Sequence, residues 1–386
     1  MAIDPEDRLI CTSADAGEAE GPQTVTQSIA QTSLFTFDTF EALSAGLDDE
    51  YRNPVYTRGR NPTVLALEDK LAKLERGEAC KVFASGMAAV SSVILGLAEK
   101  GDHIVFVNQV YGPTLELAEH LTRFGISYDY IPGGALADIE RALRAETRLI
   151  WLESPGTMLF ELVDIESITE LARERGITTV MDNSWATPLF QKPITMGVDI
   201  VVHSCTKYLG GHSDLVAGAV IAADEVLEQI FYRAFLLNGA AVGPFDAWLA
   251  TRGLRTLPLR MEQHEAGALR VATFLQEHER VARVFHPALT GEPSLVDKQM
   301  TGTAGLFSFE LHDVGFEKVC KILNSLNIFR LGVSWGGFES LAISPNRGTN
   351  VEKLEVAGIP EGLIRLSIGQ EDADSLIEDL QQALAK

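Results

Sequence analysis

The run VDIVVHSCTKYLGGHSD occupies residues 198–214 and joins an apolar, strand-like segment to Lys207. Small hydroxyl residues flank that lysine, and Gly210 and Gly211 allow a tight turn after it. A lysine at the end of a buried strand is poorly placed for solubility. A desolvated lysine amine is, in contrast, well suited to hold an aldehyde as a Schiff base. The run therefore predicts a sheet that delivers a reactive lysine to the end of one strand.

The chain before this run alternates short apolar segments with amphipathic stretches. The predicted strands are His103–Val107, Arg148–Glu153, Ile177–Asp182 and Val198–His203. The predicted helices between them are Pro113–Phe124, Ala137–Ala145 and Asp164–Arg175. Such alternation is typical of βαβ units. We therefore expect an α/β fold with a mostly parallel central sheet, helices on both faces, and a ligand beyond the carboxyl ends of the strands.

Three regions are expected along the chain. Residues 1–60 show little regular periodicity and are interpreted as an extended N-terminal arm that needs another surface to pack on. Residues 61–245 contain the alternating pattern, and residues 246–386 form a smaller α+β C-terminal domain. The elements predicted in that last region are a helical stretch over 247–278 interrupted near Gly253 and Pro258, strands at Gly305–Leu311 and Leu363–Ile368, and helices at Phe316–Leu326 and Asp372–Ala385.

Composition argues against several classes of function. The formal net charge of −22 over 386 residues opposes binding to nucleic acids and anionic membranes, which requires a basic surface. No apolar run reaches the roughly 18 residues of a membrane span, and the acidic N-terminus lacks the features of a signal peptide. Four scattered cysteines, without a metal-ligand spacing, indicate a reduced, cytoplasmic protein with no structural metal.

Two other segments carry candidate ligand contacts. Ser85 and Gly86 precede an apolar helix whose N-terminus is suited to phosphate, although this motif taken alone is better explained by Ser85 as an ordinary helix cap. Neither a P-loop pattern nor GxGxxG is present, so a nucleotide is not indicated. Asp182 ends a predicted strand, where it either pairs with a pyridine nitrogen or caps a solvated turn.

Taken together, these segments favour one kind of site. Asp182 and Lys207 lie 25 positions apart, about one helix-and-strand unit, so adjacent strands would bring both to the same edge of the sheet. Ser204 and Thr206 add hydroxyl groups beside the lysine for a phosphate. A helix N-terminus, a strand-end aspartate and a strand-end Ser-x-Thr-Lys predict a pyridoxal phosphate (PLP) site.

The same motifs resemble the Cys/Met-metabolism family of fold-type I PLP-dependent enzymes, which are enzymes of trans-sulfuration and methionine biosynthesis. The resemblance covers nearly everything after about Thr24 and is most specific over 182–218. Independent support comes from YTRGRNPT at 56–63, SGM at 85–87 and LIRLSIG at 363–369. The resemblance implies an aspartate-aminotransferase-like fold in which residues 61–245 form the PLP-binding domain and the arm contacts a neighbouring subunit.

Cofactor contacts follow from the resemblance. Lys207 is implied to hold PLP covalently and then to move protons, Asp182 to pair with the pyridine nitrogen, and Tyr111 to stack on the ring and take part in catalysis. The remaining implied cofactor contacts are Gly86, Met87, Ser204, Thr206, Tyr56 and Arg58. The last two would come from a neighbouring subunit, which implies at least a dimer with shared active sites. The resemblance further implies a homotetramer built from two such dimers.

Substrate contacts are implied in the same way. Arg365 would bind the carboxylate of a small amino-acid substrate through a bidentate fork that a lysine could not reproduce. The other implied substrate contacts are Ser334, Trp335, Thr157 and Tyr56. No metal is implied.

Within the family, three features resemble cystathionine β-lyases more than γ-enzymes: Glu153-Ser154-Pro155-Gly156, Trp185, and Ser334-Trp335-Gly336-Gly337. Two features oppose this assignment. The Asn-Pro-Thr of 61–63 is more typical of γ-enzymes, and Val333 cannot hydrogen-bond the far end of a substrate. The leading hypothesis is β-elimination from cystathionine or a related thioether amino acid. The alternatives are γ-elimination or γ-replacement on an O- or S-substituted homoserine-type substrate, and a regulatory cofactor-binding protein.

Overall fold

The computed structural model describes residues 3–14, 24–313 and 315–386 and contains two β-sheets with helices packed around them. The first sheet lies within residues 79–222 and the second within residues 281–367. Part of the predicted N-terminal arm, residues 1–2 and 15–23, lies outside the described residues.

Seven strands form the first sheet: β1 (Ala79–Phe83), β2 (His103–Val107), β3 (Ser127–Ile131), β4 (Thr147–Glu153), β5 (Thr178–Asp182), β6 (Ile200–Ser204) and β7 (Gly218–Ala222). Their spatial order is β1-β7-β6-β5-β4-β2-β3. Neighbours are parallel from β6 through to β3, whereas β7 runs antiparallel to both β6 and β1. The prediction of a mostly parallel central sheet is confirmed.

Five strands form the second sheet: β8 (Val281–Phe285), β9 (Leu306–Leu311), β10 (Arg330–Leu331), β11 (Leu341–Ile343) and β12 (Leu363–Ser367). Their order is β10-β11-β12-β9-β8, and every pair except β10 with β11 is antiparallel. The predicted strands of the C-terminal region correspond to β9 and β12.

The helices of the described residues surround both sheets. They are α1 (Pro5–Thr12), α2 (Phe40–Asp48), α3 (Pro62–Glu75), α4 (Gly86–Leu97), α5 (Gly112–Leu121), α6 (Leu136–Ala142), α7 (Ile165–Arg175), α8 (Thr187–Phe190), α9 (Asp224–Ile230), α10 (Leu236–Asn238), α11 (Pro244–Leu254), α12 (Leu257–Glu277), α13 (Pro287–Thr290), α14 (Pro293–Gln299), α15 (Phe316–Leu323), α16 (Val351–Val356) and α17 (Ala373–Leu384). Over these ranges, none is both long and apolar enough to cross a lipid bilayer.

Several boundaries differ from those predicted, for local reasons. The helix predicted at Pro113–Phe124 ends at Leu121 and tightens into a 3₁₀ turn over Thr122–Phe124. The interruption predicted near Gly253 and Pro258 separates α11 from α12, and the proline lies in the first turn of α12, where its missing N–H costs nothing.

The expectation of an extended arm is wrong for two segments, because residues 5–12 and 40–48 form α1 and α2. Each helix begins at a side chain that caps its first turn. Asp4 accepts from the amide of Glu6, and Thr39 accepts from the amide of Ala42. The arm is thus partly helical.

Buried side chains form one hydrophobic cluster on each face of the first sheet. Met181 and Val201 belong to one cluster, whereas Val180 and Val202 belong to the other. Because side chains alternate along a strand, Asp182 points to the same face as Val180 and Val202. This alternation decides which strand-end side chains can meet above the sheet.

Candidate active site

A pocket opens at the carboxyl ends of β4, β5 and β6, where ligands of parallel α/β sheets bind. The predicted site residues among its lining are Gly86, Met87, Tyr111, Thr157, Asp182, Ser204, Thr206, Lys207, Trp335 and Arg365. Both sheets contribute, because Arg365 lies on β12 and Asp182 on β5. The structure therefore brings together residues that are up to about 280 positions apart in the sequence.

Lys207 lies in the turn after β6, where its amide donates to the Ser204 carbonyl at 3.1 Å. Its Nζ donates to Ser334 Oγ at 2.6 Å and lies 5.3 Å from the centre of the Trp335 ring. Burial, with a smaller contribution from the charge of Arg365, lowers the pKa of the Lys207 amine to about 8. A substantial fraction of this amine is therefore neutral, and nucleophilic, near physiological pH.

Two carboxyl groups lie side by side at the strand ends. Glu153 and Asp182 are register partners on β4 and β5, and both line the pocket. Burial raises the pKa of Asp182, and hydrogen bonds from Ser184 oppose that rise, since the Ser184 amide donates to Asp182 Oδ1 at 2.9 Å. Burial together with the charge of Asp182 raises the pKa of Glu153 well above its usual range. Asp182 is thus the better-stabilised carboxylate of the two.

A cradle for a small anion lies at the start of α4. Ser85 caps the helix, and its Oγ accepts from the Ala88 amide at 3.0 Å. A Cβ on Gly86 would lie 3.1 Å from Ser204 Oγ, and a Cβ on Gly218 would lie 2.3 Å from the Ser85 carbonyl oxygen. Position 218, where β7 passes the turn at Ser85, therefore requires glycine. The N-terminus of α4 and the Ser204 hydroxyl both line the pocket.

Thr206 already forms hydrogen bonds within the protein. Its hydroxyl accepts from the Ala217 amide at 3.1 Å and donates to the Ala217 carbonyl at 3.2 Å. To donate to a phosphate, the hydroxyl would have to give up its bond to that carbonyl.

The second sheet supplies the opposite wall. Arg365 is buried, its guanidinium donates to the Ser334 carbonyl at 3.4 Å, and burial lowers its pKa to about 10, so it stays charged. The turn carrying Ser334 and Trp335 lies against the Lys207 turn. A Cβ on Gly336, whose φ is +82°, would lie 2.9 Å from the Tyr208 amide nitrogen. The second sheet thus packs closely against the Lys207 turn, and the Arg365 guanidinium and the Lys207 amine line the same pocket.

Tyr111 lies at the mouth of the pocket, just before α5. Its amide donates to Glu153 Oε2 at 2.8 Å, and its side chain is about half exposed. Tyr56 and Arg58, in contrast, are not part of this pocket. Both are exposed, with the guanidinium carbon 5.6 Å from the centre of the tyrosine ring. A single chain therefore does not assemble every predicted site residue.

Sequence reasoning overlooked several pocket residues as site residues, above all Glu153 and Ser184. Glu153 had the same signal as Asp182, a carboxylate at the end of an apolar strand, but was considered only as a marker within the family. Trp185, also considered only in that way, lines the pocket and donates through its indole nitrogen to the Leu306 carbonyl at 2.9 Å. Within the ranges that the structure describes, no cluster of His, Cys, Asp and Glu side chains could hold a metal ion.

Comparison with known proteins identifies the family. The family described as "Cys/Met metabolism PLP-dependent enzyme" matches residues 11–385. The chain belongs to this family. It is accordingly a PLP-dependent enzyme of fold type I, a lyase of the carbon–sulfur and trans-sulfuration type that acts in amino-acid metabolism.

Individual members of the family show comparable similarity. The L-methionine gamma-lyase of Fusobacterium nucleatum is 40% identical over 94% of this chain and 94% of its own. The cystathionine beta-lyase of Lactococcus lactis is 40% identical over 92% of this chain and 93% of its own. A crystal structure of cystathionine gamma synthase from Xanthomonas oryzae, in complex with aminoacrylate and cysteine, superposes with a TM-score of 0.91 at 34% identity, covering 98% and 97% of the two chains.

The pocket has the groups that PLP requires. It offers an amine with a lowered pKa for the aldehyde, a buried carboxylate for the pyridine nitrogen, and an anion cradle for the phosphate. These groups are Lys207, Asp182 and the turn at Gly86, and they meet in one cavity. The residues present therefore suit the cofactor.

The lowered pKa of Lys207 predicts how the apo chain takes up PLP as the pH changes. Only the neutral amine attacks an aldehyde, and below the pKa its fraction grows about tenfold per pH unit. We expect the rate of PLP capture to rise up to about pH 8 and then level off. Stopped-flow visible absorbance measures this rate, with Lys207→Ala as the blank. A rate that kept rising towards 10.5, the ordinary lysine value, would contradict the expectation.

Proposed function

We propose that this enzyme catalyses β-elimination from cystathionine or a related thioether amino acid, giving a thiol such as homocysteine, pyruvate and ammonia. One observation carries the proposal. The three features by which the chain resembles β-lyases converge on the pocket, since Glu153, Pro155, Gly156, Trp185 and Trp335 all line it. Features that set the reaction type are expected at the reacting centre rather than on the surface.

The roles of the cofactor-side residues follow from their positions. PLP supplies the aldehyde that takes the substrate amine and a ring that withdraws electrons from Cα. We assign Lys207 to hold that aldehyde and Asp182 to remain ionised beside the pyridine nitrogen. The phosphate contacts assigned are Gly86, Met87, Ser204 and Thr206. Tyr111, whose amide donates to Glu153 at the mouth of the pocket, would cover the bound ring.

The chemistry then depends on two groups that face each other. Arg365 binds the substrate carboxylate through two parallel N–H···O bonds and so fixes the direction of the Cα–H bond. Lys207, once released, takes the Cα proton as general base, a role for which a pKa near 8 is suitable. The same proton is then delivered to the departing sulfur, and water converts the remaining three-carbon fragment to pyruvate and ammonia. We also assign to the substrate Trp335 and Thr157, which line the pocket, and Ser334, whose hydroxyl accepts from Lys207 Nζ.

A complete site requires a second chain under this proposal. Tyr56 and Arg58 are exposed and lie outside their own chain's pocket, so we assign them to the pocket of a neighbouring subunit, Arg58 to the phosphate and Tyr56 to cofactor and substrate. The assembly proposed is a homotetramer of two such dimers. Light scattering should give the mass of four chains.

γ-Elimination is the second candidate. The methionine gamma-lyase of Fusobacterium nucleatum is as similar to this chain as the cystathionine beta-lyase of Lactococcus lactis. Val333 is 77% exposed and offers no polar group to the far end of a substrate. A substrate without a polar distal group, such as methionine, would suit that residue.

Product analysis separates the two candidates. With cystathionine as substrate, β-elimination yields pyruvate, whereas γ-elimination yields 2-oxobutyrate. We expect pyruvate to exceed 2-oxobutyrate by about tenfold or more, which corresponds to a difference of about 1.4 kcal/mol between the two barriers. Chromatography of the derivatised keto acids measures both products, and methionine and O-substituted homoserines complete the panel. 2-Oxobutyrate without pyruvate would refute β-elimination.

A further inference from the structure

Lys81 is a buried cation at the centre of β1 and is not among the residues that line the pocket. Its side chain is 3% exposed, and Nζ lies 3.0 Å from Glu68 Oε1, itself almost completely buried on α3. The same carboxylate oxygen accepts from the Val82 amide at 3.0 Å. A buried ion pair gives little net stability compared with apolar side chains of the same size. Stability from the ion pair therefore does not by itself explain why β1 contains a lysine.

The second partner of Lys81 is the segment that carries Tyr56 and Arg58. Nζ donates to the Gly59 carbonyl at 2.9 Å. Residues 56–60 form a tight turn, because the Tyr56 carbonyl accepts from the amides of both Gly59 and Arg60, at 2.8 and 3.1 Å. Lys81 thus holds the Gly59 carbonyl within this turn, while the side chains of Tyr56 and Arg58 are exposed.

Aromatic side chains strengthen the anchor. Nζ of Lys81 lies 4.7 Å from the centre of the Phe235 ring and 5.5 Å from that of Phe231, within cation–π distance. Gly59 rests on the same surface, since a Cβ there would lie 3.4 Å from Phe231 Cζ. The ammonium therefore contacts two aromatic rings, the Glu68 carboxylate and the Gly59 carbonyl. These contacts fix the position of the ammonium and that of the turn formed by residues 56–60.

We propose that Lys81 is a positioning residue that acts on the active site of the neighbouring subunit, by fixing the turn from which Tyr56 and Arg58 reach that site. The inference rests on the proposed shared active site. It assigns a role in trans to a residue that contacts neither cofactor nor substrate.

The variant that tests this is Lys81→Met combined with Glu68→Gln, since the amide retains the bond to the Val82 amide and no charge is left buried alone. The matched control is Lys73→Met with Asp69→Asn, an exposed ion pair on the same helix. We expect the dissociation constant of PLP, titrated into the apo protein, to rise about tenfold in the first variant and to stay within about twofold in the control. Lys81→Arg, which keeps the charge and the donor, should restore most of the affinity.

Hybrid dimers locate the effect. The Lys81→Met/Glu68→Gln chain is co-expressed with a Lys207→Ala chain, each with its own tag. In the hybrid dimer, one site takes an intact Lys207 from the first chain and an intact turn from the second, whereas the other site has neither. At limiting PLP, the variant homodimer should lose about tenfold in activity, and the hybrid should return to about half of the wild-type activity. A hybrid that stays at the level of the variant homodimer would show that Lys81 acts on its own chain's site, and would overturn the proposal.

A second hybrid separates this inference from the function on which it rests. Arg58→Ala paired with Lys207→Ala tests the shared site directly. If that hybrid regains activity and the Lys81 hybrid does not, only the role of Lys81 is wrong. If neither regains activity, the shared site itself is wrong and the role of Lys81 falls with it. Lys81→Gln takes the place of the double variant if thermal unfolding shows that the latter does not fold, and unchanged PLP affinity in a folded variant would likewise overturn the proposal.

Discussion

Lys207→Ala should abolish both the visible absorbance of the bound cofactor and turnover. The variant removes the amine to which we assign both the binding of the PLP aldehyde and the removal of the Cα proton, so we expect activity to fall by about 10⁴-fold or more. The side chain is large and partly buried between Ser334 and Trp335, but its removal leaves the pocket open to water rather than an apolar cavity. Folding should therefore be retained. Absorbance spectra and keto-acid production measure the two losses.

The matched control is Lys100→Ala, which removes an exposed lysine outside the pocket and should change neither quantity. A Lys207→Ala protein that kept its visible absorbance would refute the assignment of that lysine. Full biological activity in cells that carry only the inactive variant would instead favour a regulatory, cofactor-binding role.

Arg365→Ala should have the second-largest effect. The guanidinium is buried and charged and lines the same pocket as Lys207, so its loss would remove the group that we assign to the substrate carboxylate. Losing one partner of such a pair costs about 2–4 kcal/mol, or about 30- to 1000-fold in kcat/KM. Arg365→Lys should recover little, because an ammonium cannot form the two parallel bonds. Steady-state kinetics and PLP absorbance are the measurements.

Arg283→Ala, at an exposed position of β8, an edge strand of the same sheet, provides the control for charge and for folding of this sheet. The absorbance of bound PLP should be unchanged in both variants, since Arg365 is assigned to the substrate. An Arg365→Ala enzyme with a kcat/KM within about threefold of the wild-type value, less than 1 kcal/mol, would show that another group binds the carboxylate.

Apolar periodicity predicted the strands that lie inside the sheet, because β2, β4, β5 and β6 are fully covered by helices and read as continuous apolar runs. It missed β1, β3 and β7. β1 contains Lys81, whose charge breaks the apolar pattern and is compensated only by Glu68 from another element. β3 is an edge strand with two exposed residues, and β7 consists mostly of small residues.

The candidate site divides in the same way. Lys207, Asp182 and Gly86 belong to short motifs at predicted element ends, so local sequence located them. Glu153 has the same local signal as Asp182, a carboxylate at the end of an apolar strand, but only the register between β4 and β5 shows that it lies beside Asp182 in the site. Lys81 required the tertiary contact with Gly59, which no local pattern encodes. What local sequence does not show is pairwise placement across elements.

The construction of the pocket from two sheets also has a consequence for how such enzymes diversify. The cofactor-side groups sit on the first sheet, whereas Arg365 and the Trp335 turn belong to the second. Recombination that exchanges only the C-terminal third between relatives would replace the residues assigned to the substrate. The residues assigned to the cofactor would remain unchanged. The narrow clearance at Gly336 sets the condition for such an exchange: the incoming turn must carry glycine at that position, or the two halves will not close on each other. Chimeras with and without that glycine would show whether substrate preference is inherited as a module.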